Sequence, residues 1–587
     1  MHLLSNFRRV AAYYRDHARA TAIGSVAVVA SALIGLQAPG IVRRAVDLLS
    51  AGAPLAAIWR QAALIALIAA GSGYFLYLQR RLLVGVSREI EHRLRTDLYR
   101  HLLRLPPAFF MRERVGDVLT RATSDVGAVR LAVGPALMYT INTVTVMLLA
   151  SILMARIHLP LTLLALCVVP LVAGATRVLG TRIHTRWGRS QEELSRYTAR
   201  LQEHLVGLRV LRAYGCEGTE KRAMAELSRA YLVAGKRLIS VSSLFHPILQ
   251  ALIGLAFVIV LGVGGSAVRA GTITLGQFVE FNLYVVRLTW PMIAVGWVAN
   301  LLQRGAASSA RIEALFAEQV LDEPAAQDGA VGSPRTGPAR LELCGLSFTY
   351  PGSPKPALDG VSLVAAPGQR IALVGEVASG KSTVLSIIPR LLEPPRGAVL
   401  LDGRDVLDLP LLELRGGIAL VPQGSFLFSA TLRDNIALAR PDAGADAVLA
   451  AARAAGLGDD LERFPAGLDT VVGERGVTLS GGQRQRVAIA RALITRPRLL
   501  LLDDCLSAVD TATERQILEA LPDTTLLFAT HRLAAAELCD RVVVLDDGRV
   551  VEAGTPAELA ARGGRYARLL ALQRLDERPA LPAAAGA

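Results

Sequence analysis

The sequence predicts a chain of two structural classes, a membrane α-helical domain with six transmembrane helices followed by an α/β domain. Three observations carry the prediction. Hydrophobic residues make up 52% of the 587 positions and charged residues only 19%, against about 25% charged in ordinary soluble domains. Six long apolar runs lie in the first half, and a helix is the spanning form that satisfies every backbone polar group without closing a barrel. After residue 340 the pattern changes to short β-type runs alternating with helical stretches, an α/β layout. This composition excludes a disordered chain, which needs low hydrophobicity. The five Cys lack paired spacing, so neither a disulfide framework nor a structural zinc site is indicated.

The apolar runs, in order, are 20–42, 61–79, 131–155, 157–176, 238–268 and 272–303. Most reach the roughly 20 residues that cross a 30 Å hydrocarbon core. The first is too long for a cleaved signal peptide and has no small-residue cleavage site behind it. Loop charge sets the orientation. Residues 80–130 carry eleven Arg and residues 177–237 thirteen Lys plus Arg, while the alternate loops hold three Arg, then Arg156, then Arg269. Positive charge stays inside, so the N-terminus and both long loops are expected in the cytoplasm, and six crossings return the second half there. The net charge of +14 is read the same way, with no nucleic-acid partner.

Both cytoplasmic loops repeat apolar residues at helical spacing, as in SREIEHRLRTDLYRHLLRL over 87–105. The membrane helices are therefore expected to run on past the bilayer and to turn at short breaks, the first near Pro106 and Pro107. Within the sixth run, Glu280 and Arg287 are seven residues apart, on one helix face. Charges inside a membrane are costly and point to function; these two are expected to pair with each other or to snorkel, with Arg287 a candidate substrate contact. Pro247 and Pro291 are candidate kinks.

Residues 317–340 are rich in Pro, Gly and Ala without periodicity and read as a linker, ahead of a domain over 341–573 and a disordered tail over 574–587. The strongest chemical signal follows the apolar strand IALV. Gly375, Glu376, Val377, Ala378, Ser379, Gly380, Lys381, Ser382 and Thr383 match GxxxxGK[ST] between a strand and a helix, the context of a P-loop NTPase. Glycines let backbone N–H groups curl round phosphate oxygens, and the helix N-terminus adds partial positive charge. Lys381 is suited to the β/γ-phosphates and the Ser382 hydroxyl to Mg²⁺, with Asp503 after the run LLLL as its acidic partner. LSGGQRQR over 479–486 places Ser480, Gly481, Gly482 and Gln483 at a second helix N-terminus. One chain thus has two phosphate-binding surfaces, which makes sense when two such domains face each other.

On these motifs the whole chain resembles an ABC transporter half of the exporter type, a six-helix membrane domain fused to one nucleotide-binding domain. The resemblance implies ATP and Mg²⁺ as ligands. It makes Tyr350 the adenine-stacking aromatic, Gln423 the Q-loop glutamine, 507–510 the D-loop, His531 the switch histidine, and GERG over 473–476 a contact for the coupling turns near 106–116 and 205–216. One position departs from the family pattern. Asp504 stands where a Glu usually orients the attacking water, and loss of one methylene sets its carboxylate back by about 1.5 Å. A misplacement of roughly 1 Å can lower a rate about 10²-fold. The site is therefore expected to bind ATP and hydrolyse it poorly, while the intact signature completes a better site on a partner. The implied protein is the degenerate-site subunit of a heterodimeric, multidrug-like exporter in a bacterial plasma membrane, moving amphiphilic or hydrophobic compounds by alternating access. A lipid flippase, an importer on the same scaffold, a homodimeric exporter and a non-transporting ATP sensor remain as alternatives.

Overall fold

The computed structural model describes residues 8–320, 337–473 and 479–576. The chain forms two compact units. The first runs to Glu318 except for Leu105–Glu113, which group with the second.

Six long helices build the first unit: α1 (Ala18–Ser50), α2 (Leu55–Arg104), α3 (Val115–Ile157), α4 (Leu159–Val206), α5 (Glu217–Arg269) and α6 (Leu275–Phe316). They hold 33 to 53 residues. At 1.5 Å per residue the longest spans about 80 Å, more than twice a hydrocarbon core. The apolar runs of the sequence are therefore only parts of longer rods. Two breaks fall where the sequence places them. A short helix, Pro107–Arg112, joins α2 to α3, with Pro106 in extended conformation ahead of it. A second, Leu208–Ala213, joins α4 to α5. The single break between α3 and α4 is His158, whose ring Nδ1 accepts the Leu161 N–H at 3.2 Å and caps the helix start. Pro135 lies inside a π turn over Ala132–Ala136, a typical accommodation of a residue without an N–H.

Small residues let these helices approach. A Cβ at Gly305 of α6 would overlap that of Ala132 on α3, and one at Gly134 would lie 2.5 Å from Cβ of Ser87 on α2. Such positions drive association where lipid removes the hydrophobic incentive. The apolar centre of the unit gathers Met154, Leu161, Val168, Leu249, Phe281 and Leu288 from α3 to α6.

The partner of Glu280 differs from the expectation. Its carboxylate is buried at 6% exposure and pairs with Arg43 of α1 at 3.3 Å, not with Arg287. Tyr284 donates to Glu280 or to the Leu36 carbonyl, both at 3.2 Å, and Asp47 accepts the Gly276 N–H at 3.0 Å. The reason is tertiary: α1 packs over the Glu280 end of α6, supplying a cation that the helix itself cannot place as close. Arg287 is exposed.

In the second unit, β1 (Leu341–Phe348), β2 (Leu358–Ala365), β4 (Val399–Leu401) and β5 (Arg404–Asp405) form an antiparallel sheet in the order β2-β1-β4-β5. The main sheet orders β10 (Arg549–Gly554), β9 (Arg541–Asp546), β3 (Arg370–Val374), β8 (Thr525–Ala529), β7 (Leu499–Asp503) and β6 (Ile418–Val421). All pairs are parallel except the β9–β10 hairpin. Both faces are covered, so the central strands read as unbroken apolar runs. In β7, Leu500 and Leu502 enter one core and Leu499 and Leu501 the other, the two-residue alternation of a strand.

Candidate functional site

The candidate site assembles at the carboxyl ends of four parallel strands that neighbour one another in the sheet. β3 runs into the loop over 375–380, β6 leads through Pro422 to Gln423, β7 ends on Asp503, and β8 leads through Thr530 to His531. This edge is where open α/β sheets bind ligands.

Gly375 tolerates no side chain, because a Cβ would run into the Leu545 carbonyl oxygen. Gly380 holds φ of 100° and caps helix α7 (Lys381–Ile387). Ala378 holds a left-handed φ of 68° without being glycine. Lys381 Nζ folds back on the loop and donates to the Gly375 and Glu376 carbonyls at 2.8 and 2.7 Å and to Ser379 Oγ at 3.2 Å. Burial holds its ammonium below the usual lysine range, opposed by Asp504 and Asp503 nearby. The Ser382 hydroxyl donates to Asp503 Oδ1 at 2.9 Å. Burial pushes the Asp503 carboxyl above its ordinary range against that hydrogen bond. Tyr350 Oη lies 3.2 Å from Thr383 Oγ1, which places the aromatic beside the start of α7. Val377 is almost fully exposed.

Asp504 joins the remaining residues. Its Oδ1 lies 2.7 Å from His531 Nδ1, and Gln423 Nε2 donates to its Oδ2 at 3.4 Å. Asp504 too sits at positive φ, 46°. The described contacts thus unite Lys381, Ser382, Asp503, Asp504, Gln423 and His531 around one loop. A hydroxyl, a carboxylate and an amide oxygen form a hard donor set of the kind Mg²⁺ takes, and the glycine cradle suits a phosphate chain.

Residues 480–483 form a second cluster. Ser480 caps helix α8 (Gly481–Leu493) in a reciprocal capping box with Gln483, whose amide also donates to Asp460 at 2.8 Å. The glycines permit close approach: a Cβ on Gly482 would lie 2.8 Å from the Ala508 carbonyl oxygen, and one on Gly481 would sit 3.6 Å from the Ala508 side chain. Sequence reasoning missed two residues that tie the clusters together. Gln485 accepts the Ala508 N–H at 3.0 Å and donates to Ser507 at 3.3 Å. Arg532, next to His531, donates to the carbonyls of Ser507 and Val509 at 2.7 Å each and pairs with buried Glu514 at 3.1 Å. Their only sequence signal was position, Gln485 inside the run over 479–486 and Arg532 next to His531. Of the segment over 473–476, residues 474–476 lie outside the described residues.

Residues 21–292 match the family profile of the ABC transporter transmembrane region, and residues 358–507 match that of the ABC transporter. Among curated proteins, the chain is similar to a probable multidrug resistance ABC transporter ATP-binding/permease protein of Bacillus subtilis, 33% identical over 98% of each chain. The chain belongs to the ABC transporters. This ABC transporter is also similar to an ATP-dependent lipid A-core flippase of Thiobacillus denitrificans, 37% identical over 82% of this chain and 83% of that one. Among solved structures it resembles a bacterial Atm1-family ABC exporter with ATP bound. That match is 27% identical with a TM-score of 0.77, over 96% of this chain and 99% of the other. It is a multi-pass membrane protein of exporter-type fold and an ATP-hydrolysing transporter.

Proposed function

We propose that the chain is one half of a multidrug-like exporter in a bacterial inner membrane, moving amphiphilic or hydrophobic compounds outward by alternating access. In this reading the N-terminus and the nucleotide-binding domain are cytoplasmic, as the arginine asymmetry of the loops supports. ATP binding closes this chain's P-loop against a partner's signature, and this chain's Ser480, Gly481, Gly482 and Gln483 against the partner's P-loop. ATP shifts the equilibrium only by preferring the closed dimer. The turns at Pro107–Arg112 and Leu208–Ala213 carry that closure to the helices.

Within the site, Lys381 leaves the loop carbonyls to meet the β- and γ-phosphates, and Tyr350 stacks on adenine. Ser382, Asp503 and Gln423 would hold Mg²⁺, which would supply charge neutralisation on the phosphates. The observation that carries the finer reading is Asp504. It is one methylene short of the usual base, and each carboxylate oxygen is engaged, one by His531 and one by Gln423. It therefore braces the switch histidine rather than reaching a water. This makes the chain's own site the slow one and assigns hydrolysis to a partner bearing Glu, completed by this chain's intact signature.

The test is Mg²⁺-ATPase activity of the chain alone in lipid nanodiscs, with ATP binding measured on the same sample. Tight binding with almost no turnover supports the heterodimer. Brisk turnover lost in both Lys381→Ala and Asp504→Asn would make the protein a self-sufficient homodimer. The likeness to the flippase favours a lipid as second substrate class, and stimulation of the assembled pair by lipid rather than by amphiphilic drugs would select it.

A further inference from the structure

Arg565 opens the C-terminal helix α9 (Arg565–Asp576) and reaches the rim of the P-loop. Its guanidinium lies 3.4 Å from Glu376 Oε1 and pairs with Asp546, at the end of β9, at 2.6 Å. The helix start is held in place: Glu552 accepts the backbone N–H groups of Arg565 and Tyr566 at 2.6 and 3.0 Å, and the Tyr566 ring is fully buried. Further along, Gln573 accepts the Leu533 N–H at 2.8 Å, two residues beyond His531. One helix therefore touches both the loop that cradles phosphate and the segment behind the switch histidine.

Glu376 is the second residue of that loop, a position the P-loop pattern leaves open. A carboxylate there stands on the rim of a site whose ligand carries several negative charges. Both members of the pair are substantially exposed, so its contribution to folding is small. Its effect on an incoming polyphosphate is different in kind, because an unneutralised like charge within several ångströms weakens binding on the order of three- to tenfold. We propose that Arg565 is a positioning residue for nucleotide binding, neutralising Glu376 and holding it off the phosphate path. The C-terminal helix is then part of the ATP site.

This inference rests on the reading that the P-loop holds ATP. The experiment measures affinity for a fluorescent ATP analogue, on the full-length protein in nanodiscs. Arg565→Ala should weaken binding about three- to tenfold. Arg565→Ala combined with Glu376→Gln should return close to the wild-type affinity, and Arg565→Lys should retain most of it. The Arg565→Ala defect should shrink between roughly 0.05 and 0.5 M salt, as the Debye length falls. If Arg565→Ala yields no folded protein, Glu376→Gln alone must tighten binding in a salt-sensitive way. Unchanged affinity in Arg565→Ala, or a double variant as defective as the single one, would overturn the proposal and leave Arg565 a structural anchor. A wild-type protein that binds no nucleotide, like a Lys381→Ala control, would instead overturn the ATP reading beneath it.

Discussion

Two non-glycine residues of the candidate site sit in left-handed backbone, Ala378 in the P-loop and Asp504 after β7. For alanine this costs about 1–2 kcal/mol. Ala378→Gly should therefore raise the unfolding temperature of the nucleotide-binding domain by about 2–4 °C, measured by thermal denaturation of the full chain. An unmoved or lowered temperature would show that the loop relaxes its strain elsewhere. Asp504 poses a chemical question at the same scale. Asp504→Glu restores the missing methylene and should raise ATP turnover of the chain alone about 10²-fold. Equal rates in the two proteins would mean that the aspartate already reaches a water. These motifs were legible in the sequence because each is a short run whose chemistry its own backbone creates. The partners of Asp504 were legible only through the family resemblance, since His531 comes from another strand.

At the scale of elements, the helices of the membrane unit are packed through small residues. Gly305 of α6 faces Ala132 of α3 with no room for a Cβ, and its next neighbour would be the Ala128 carbonyl at 3.3 Å. Gly305→Ala should destabilise the membrane unit by about 1–3 kcal/mol, visible as a lower thermal midpoint in nanodiscs. Adding Ala132→Gly should recover part of that loss; no recovery would place the strain outside this crossing. Hydropathy located all six helices but not their ends. The signal fades where a helix leaves its apolar run, although in α2 and α4 the helix continues for more residues than that run holds. The partner of Glu280 was misread for a related reason. Spacing along one helix reports only intrahelical neighbours, and Arg43 lies 237 positions away on α1.

For the whole molecule, the proposed reading assigns the P-loop and signature clusters of one chain to different nucleotide sites once two halves meet. Arg532 and Gln485 join them through the loop over 507–510. The heterodimer reading predicts an asymmetry. In the assembled pair, Ser480→Arg in this chain should abolish ATPase activity by at least about tenfold, because it spoils the partner's good site. Asp504→Ala in this chain should leave most of the activity in place. Comparable losses from both substitutions would contradict a division of labour and favour two equivalent sites. Measuring both variants against one partner preparation keeps the comparison internal.

By itself the sequence determined the class of each half, the six crossings, the phosphate-binding loop, the signature and the substitution at Asp504. All of these arise from local composition, periodicity or contiguous motifs, which a linear reading can weigh. The tertiary structure decided which strands bring their carboxyl ends together, that Asp504 is gripped by His531 and Gln423, that Glu280 answers Arg43, and that Arg565 stands over Glu376. Those pairings depend on strand order and helix crossing. Residues as far apart as 237 positions become neighbours only when burial of two hydrophobic cores has set the path of the chain between them.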